Sequence, residues 1–432
     1  MTKNIKNFSK FEPSSMVPPQ NIFWKKAKGA YIWDDYNKKY LDFTSSIFVT
    51  NIGHGNHNLK KKIMEVLNSP LSHTYTYYNK YRETYNKELI KFFNNKKLNK
   101  CFFLSSGSEA IEAAFKLVKL YGKKVNQNKK GIISLKGNWH GRTMAAQMLS
   151  DNKDQSSWIT SKDKNITHID FPYPWSKNFN DKNFFFNSIK KKFPKNYDFK
   201  NKTAGIFIEA FQGWGAFFYP NTYIKNLVAF AKKNKILIVI DEIQSGFART
   251  GKKFAFEHYS FTPDIVVCAK GMGSGIPISG VVSSKKIISA DNAFLSSTHS
   301  GNPISCAAGI ATINEIKRLR LVNKAKKNGN KMLSLLNKIH FENKDLIYKI
   351  TGKGLIAAII FKKYKNLPAT KIASEVCRIC LKKGLLLCKT YKDSIKLGPP
   401  LIIKNREIVT AMKIISNSLK KFKENINYEK IK

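Results

Sequence analysis

The sequence predicts an α/β fold, and three observations carry that expectation. From about residue 59, short apolar runs alternate with segments of helical period. Five of those runs, 101–104, 132–135, 206–208, 236–240 and 265–268, hand over to polar or glycine-rich sequence at their carboxyl ends. That edge is where open α/β sheets bind ligands. After Gly301-Asn302-Pro303 the chain turns helical and then adopts a smaller α+β pattern. The division expected is an N-terminal arm and hairpin over 1–58, forming part of a small domain, a large domain over 59–310, and a C-terminal small domain over 311–432.

In chain order, residues 1–20 read as a loosely held arm. In 29–43 two aromatic-rich runs, Tyr31-Ile32-Trp33 and Tyr40-Leu41-Asp42-Phe43, flank the turn-forming Asp35-Tyr36-Asn37-Lys38 and predict a hairpin. Residues 44–58 form a glycine-containing loop; His54 and His57 stand in an H-x-x-H spacing, but without a carboxylate nearby in sequence they predict no metal site. The strand 101–104 leads through Ser105-Ser106-Gly107-Ser108 into a helix with Ile111, Ala114, Phe115 and Val118 on one face. The strand 132–135 leads into Gly137-Asn138-Trp139-His140-Gly141-Arg142-Thr143. Residues 151–200, rich in Lys, Asn and Phe, read as a variable insertion with one helix. The strand 206–208 ends in Glu209, the run 236–240 in Asp241, and 265–268 in Ala269-Lys270-Gly271. In the small domain, Gly352-Lys353-Gly354 opens the strand 355–361, followed by a helix near 369–383 and short strands near 385–388 and 395–397.

The 432 residues are 42 % hydrophobic, enough for a sizeable core, and no apolar run approaches the length of a membrane span. The first residues lack the apolar stretch of a secretory signal, so a cytoplasmic protein is expected. Six unevenly spaced cysteines make no disulfide framework, and Cys377 and Cys380 fall on a helical pattern as ordinary thiols. A formal charge of +47 would ordinarily direct attention to nucleic acid. Only seven of the 76 basic residues are Arg, however, and the lysines are scattered without a stripe of interleaved aromatics. The charge reads as a compositional bias that favours anionic substrates, with no nucleic-acid or membrane partner expected.

The chemistry converges on one cofactor. Ser106-Gly107-Ser108 opening a helix offers free backbone N–H groups and hydroxyls to a phosphate. Trp139, in a glycine-rich turn, can stack on a planar ring. Asp241, ending a buried strand, can keep a ring nitrogen protonated, and Lys270 supplies an amine able to form a Schiff base. Phosphate, flat ring, pyridinium partner and amine describe pyridoxal 5'-phosphate.

These segments resemble the class III (ω-type) aminotransferases over roughly residues 20–420. SSGSEAIEAAFKL resembles the family's phosphate-binding segment, WHGRT its aromatic-His-Gly-Arg-Thr, DEIQSGFARTGK and PDIVVCAKGMGSGIP the segments of the pyridinium partner and the lysine, and THSGNP the segment that crosses a homodimer. The resemblance implies pyridoxal-phosphate fold type I, with a mixed, mostly parallel sheet in the large domain. It implies Lys270 and Asp241 as catalytic residues. Ser106, Gly107, Ser108, Trp139, His140, Ile243, Gln244 and the partner-facing Thr298 would complete the cofactor site. Ile47, Arg142, Glu209 and Lys396 would contact substrate. Two departures stand out: Trp214 occupies the place of a second Glu, and Lys396 that of the Arg for the α-carboxylate. The implied activity is transfer of an amino group from an ω-amino acid of the 4-aminobutyrate kind to a 2-oxo acid. An acetylornithine, ornithine or other diamine aminotransferase, or a racemase or epimerase on the same scaffold, is the alternative.

Overall fold

The computed structural model describes residues 11–13, 15–16, 20, 22–176, 179, 181–289 and 293–429; most of the arm expected over 1–20 lies outside them. The chain divides into two compact units. One comprises 1–57, 214–216 and 323–432, and the other 58–213 and 217–322. Residues 214–216 thus join the smaller unit, and its C-terminal part begins at Asn323.

The larger unit is built on a seven-stranded sheet. Its strands are β4 (Lys100–Leu104), β5 (Gly131–Leu135), β6 (Ile166–Ile169), β7 (Thr203–Glu209), β8 (Leu237–Asp241), β9 (Ile265–Cys268) and β10 (Ser279–Ser283), in the order β4-β10-β9-β8-β7-β5-β6. Only β10 runs antiparallel to its neighbours. β5, β7, β8, β9 and β10 are buried along their whole length, as continuous apolar runs require when both faces are covered. β6 and β10 are absent from the sequence reading. β6 lies inside the presumed insertion 151–200, which therefore contributes a sheet edge as well as the helix Phe184–Lys190 and a single turn, Phe199–Lys202.

The helix Gly107–Val125 covers this sheet, burying Ala110, Ile111, Ala114, Leu117 and Val118. It starts where it does because Ser106 and Glu109 form a capping box: each side chain bonds to the other residue's backbone N–H. The register aligns Glu209 with Asp241 and Asp241 with Val267, so β7 and β8 end level and β9 runs one residue further. Two carboxylates are thereby set side by side at the carboxyl edge.

The smaller unit contains two four-stranded sheets. The first joins β1 (Trp24–Lys28), β2 (Tyr31–Asp34), β3 (Lys39–Asp42) and β13 (Leu385–Leu386), and holds the expected hairpin, with Ile32 opposite Tyr40. Asp34 closes the turn by accepting from the N–H groups of Tyr36 and Lys38. The second is antiparallel in the order β11 (Ile347–Lys353), β12 (Ile356–Phe361), β15 (Ser394–Leu397), β14 (Cys388–Lys389). The helix Ala369–Lys382 buries both Cys377 and Cys380. His54 has a carboxylate partner after all: its Nε2 lies 2.7 Å from buried Asp42, distant in sequence but adjacent in space.

After β3 the chain makes a turn that the sequence does not announce. Ser45, Ser46, Ile47 and Phe48 have φ of 47°, 53°, 61° and 68°, one turn of left-handed helix without a glycine. Each such residue costs about 1–2 kcal/mol against its right-handed form. Among the described residues no helix is long and apolar enough to cross a membrane.

Candidate active site

The larger unit gathers most of the predicted residues at the carboxyl edge of its sheet. Asp241, buried at the end of β8, is held from two sides. One oxygen accepts from the Ile243 N–H at 2.9 Å, and the other lies 2.9 Å from His140 Nδ1. The Asn138 amide stands 3.1 Å from His140 Nε2, while its oxygen accepts from Gln212, which also donates to the Lys136 carbonyl. With Asn138 donating to Nε2, the ring proton sits on Nδ1 and points at Asp241. The Ser150 hydroxyl accepts from the His140 backbone N–H at 2.8 Å. Asp241 is thus a carboxylate with a fixed orientation.

Glu209, one strand away, holds the adjoining loops. Its two oxygens accept from the backbone N–H groups of Trp139 at 3.0 Å and Gly213 at 3.1 Å. Burial, assisted by the charge of Asp241, pushes its carboxyl up to about 7, against His140 and the two N–H donors. The Gln244 amide approaches the same corner, because a Cβ on Gly213 would meet it at 2.7 Å.

Lys270 follows β9 with a φ of 47°, a strained placement for a residue with a side chain. Burial draws its ammonium below the usual lysine range, although Asp241 and Glu209 pull the other way. A lysine held so is closer to a free amine at neutral pH, the form that attacks carbonyls and takes protons.

The start of the helix Gly107–Val125 lies against the same edge. A Cβ on Gly107 would stand 3.0 Å from Ile243 Cδ1 and 3.5 Å from Ala269 Cβ. The Ser108 hydroxyl accepts from the Arg142 N–H at 3.2 Å, and Gly141 lets it come close, since a Cβ there would meet Ser108 Oγ at 2.3 Å. The Arg142 guanidinium lies 5.7 Å from the Trp139 ring centroid. Ser106 is committed to its capping box, which leaves the N–H groups of Gly107 and Ser108 as the natural anion donors.

This donor set fits pyridoxal phosphate. A helix start cradled by Ile243 suits the phosphate, an oriented carboxylate suits a protonated ring nitrogen, and a desolvated lysine suits an aldehyde. Asn138, Gln212 and Ser150, which fix His140, escaped the sequence reading. A signal for Asn138 was its place between Gly137 and Trp139, and one for Gln212 its place three residues after Glu209 in a segment resembling the family's Glu-Pro-x-Gln-Gly; nothing local marked Ser150.

The remaining predicted residues lie elsewhere. Thr298 is exposed in a loop of the larger unit, its carbonyl accepting from His73 Nε2 at 2.9 Å. Ile47 and Lys396 belong to the smaller unit. Ile47 is partly exposed on the left-handed turn, and Lys396 is buried on β15 with its ammonium 4.4 Å from the Phe48 ring centroid. Trp214, in the same unit, has its carbonyl bound by Ser394 and its ring faced by Lys392 at 4.8 Å.

The family model for class-III aminotransferases matches residues 14–419. An acetylornithine/succinyldiaminopimelate aminotransferase of Buchnera aphidicola is 32 % identical over 400 residues, covering 92 % of each chain. An acetylornithine aminotransferase of Archaeoglobus fulgidus is 32 % identical, covering 92 % of this chain and 96 % of its own. Among solved structures, a transaminase of Virgibacillus superposes with a TM-score of 0.88 at 25 % identity, covering 98 % of this chain and all of that one. With its motifs on one sheet edge and its whole length matched, the chain belongs to the class-III aminotransferases, enzymes of fold type I that depend on pyridoxal phosphate.

Proposed function

We propose that this aminotransferase takes the terminal amino group of an ornithine-type donor, N-acetylornithine first among them, and passes it to a 2-oxo acid. The observation that carries the reading is the end-to-end match to enzymes named for acetylornithine. It favours the ornithine-type alternative over 4-aminobutyrate as donor. Arg142 supports it, as an exposed guanidinium beside Trp139 that can grip the donor's distant carboxylate in a fork.

Bound pyridoxal phosphate supplies an aldehyde that accepts the amino group and a ring that withdraws electrons from the reacting carbon. The chain's own residues do the rest. Asp241, oriented by His140 and the Ile243 N–H, keeps a proton on the ring nitrogen. Lys270 Nζ, once released, would take the proton from the amine-bearing carbon of the donor and hand it to the cofactor carbon that carried the aldehyde. Gly107 and Ser108 would hold the phosphate, Trp139 and Ile243 would pack against the ring, and Gln244 would bind its hydroxyl. Glu209 keeps the Trp139 loop in place.

We place the enzyme in the cytoplasm as a homodimer, with Thr298 reaching the phosphate in the partner subunit. Tyr78 at 98 % exposure and Phe294 at 82 % are aromatic side chains that such an interface would cover. The test is the visible spectrum of the pyridoxal-phosphate-loaded protein during addition of single donors. N-acetylornithine or ornithine should bleach the band at lower concentration than 4-aminobutyrate, and Lys270→Ala should slow the exchange by at least about a hundredfold. A preference for 4-aminobutyrate would overturn the donor assignment.

A further inference from the structure

The left-handed turn at Ser45–Phe48 is held by an unusual density of bonds for four residues. Asp42 Oδ1 accepts from the Thr44 N–H and hydroxyl, both at 2.7 Å, and from the Ser45 N–H at 3.1 Å. Its other oxygen meets His54 Nε2 at 2.7 Å, so the anchor is itself anchored. The Thr44 hydroxyl then accepts from the Ser46 N–H, and the Ser45 hydroxyl donates to the Gly398 carbonyl at 2.6 Å. The Phe48 N–H donates to the Thr44 carbonyl at 2.7 Å and closes the turn. Strain of this kind persists only where the surroundings over-determine it, and it points to a task.

The turn's product is the placement of one ring. Phe48 is 1 % exposed and lies flush against the backbone of Gly398, where a Cβ would stand 2.3 Å from Phe48 Cε1. The Lys396 ammonium, on the neighbouring strand β15 and only 5 % exposed, rests 4.4 Å from the centroid of that ring. An arginine brings its own plane to a carboxylate, whereas an ammonium on a four-carbon stem is a rotatable point charge. An aromatic face beneath it attracts the cation from one side and restricts its swing.

We propose that Phe48, fixed by the Asp42–His54-anchored turn, is a positioning residue for Lys396 as receptor of the carboxylate on the amine-bearing carbon of an α-amino acid substrate. The proposal rests on the reading of Lys396 as that receptor, and the test separates the two. In the loaded enzyme, Phe48→Leu, Lys396→Met and the double variant are compared in single half-reactions with glutamate and with N-acetylornithine, whose amine-bearing carbon has no carboxylate. Affinity for glutarate, a non-reacting dicarboxylate, is measured in parallel by calorimetry.

Phe48→Leu should raise half-saturation by glutamate and the Kd for glutarate about 3- to 10-fold, leaving N-acetylornithine within about twofold. In the Lys396→Met background the same change should add nothing. An equal effect of Phe48→Leu in both backgrounds, or on both donors, would overturn the positioning role while leaving Lys396 as receptor. Lys396→Met without effect on glutamate would remove the receptor reading, and the proposal with it. Should Phe48→Leu fold poorly, Gly398→Ala displaces the ring with all three side chains retained and is expected to show the same donor-selective loss; equal loss for both donors would overturn the proposal.

Discussion

Two buried acids make the protein's stability depend on pH in a direction opposite to that of paired carboxylates. Glu209 is pushed up to about 7 by burial and by the charge of Asp241, and Glu242 to about 7 by burial. The fold therefore favours their protonated forms more than the unfolded chain does. That contribution is complete below the ordinary carboxylate range near 4.5 and is lost as pH rises to about 7. Each acid accounts for on the order of 3 kcal/mol across that window. Melting temperatures of the cofactor-free protein should fall between those pH values, and Glu209→Gln should flatten part of the slope. An unchanged slope would mean that Glu209 stays ionised. At this scale the sequence was most legible where function demands a rare pairing, as with Asp241 and Lys270 ending buried strands. It was least legible for Asn138, Gln212 and Ser150, ordinary polar residues whose value comes from the His140 ring they surround. The Asp42–His54 pair was likewise hidden, because nothing in a linear reading joins them.

Elements were legible in proportion to the apolar content of their own sequence. β8 and β9 declare themselves as unbroken aliphatic runs. β10, Ser-Gly-Val-Val-Ser, is as long as β8 and buried along its length, but only two of its side chains are apolar, and β6 was masked by the Lys- and Asn-rich sequence around it. β1, largely exposed Trp-Lys-Lys-Ala-Lys, lacks any apolar alternation and is made a strand by β2 alone. Packing between elements sets a further prediction. The helices Lys80–Phe93 and Pro303–Arg318 meet where a Cβ on Gly309 would stand 2.2 Å from Tyr85 Cζ. Tyr85 is fully buried and stacked on Phe103 at 4.8 Å, so it has nowhere to retreat. Overpacking costs typically about 1–3 kcal/mol, against about 1 kcal/mol gained from replacing a helical glycine. Gly309→Ala should lower the melting temperature by a few degrees, and a rise would show that the ring can shift.

At the scale of the whole molecule, 76 basic side chains against 29 acidic ones leave a net charge of +47. Charge of one sign repels itself in the compact state more than in the expanded one. Raising salt from about 0.01 M to about 0.15 M shortens the screening length from about 30 to about 8 Å. Added sodium chloride should therefore raise the melting temperature, and the same salt should release the protein from an anionic resin. A melting temperature that is flat or falls with salt would show that the acids are placed to neutralise the excess locally. The change of pattern after Gly301-Asn302-Pro303 is the sequence feature that suggests a second unit. The return of residues 214–216 to the smaller unit has no such feature, since it depends on the carbonyl of Trp214 meeting Ser394 and that of Gly215 meeting Thr351.

The level ending of β7 and β8 makes the sheet a ruler as well as a support. Because side chains alternate faces along a strand, a slip of β8 by one residue against β7 would turn Asp241 away and bring Ile240 to its place. The place of the Asp241 carboxylate is then set several residues upstream, by the ladder that seats Leu237 beside Gly205 and Ile238 beside Ile206. Gly205 has no room to grow, since a Cβ there would meet Val118 at 2.6 Å. Substitutions deep in that ladder should therefore displace Asp241 from a distance of several residues.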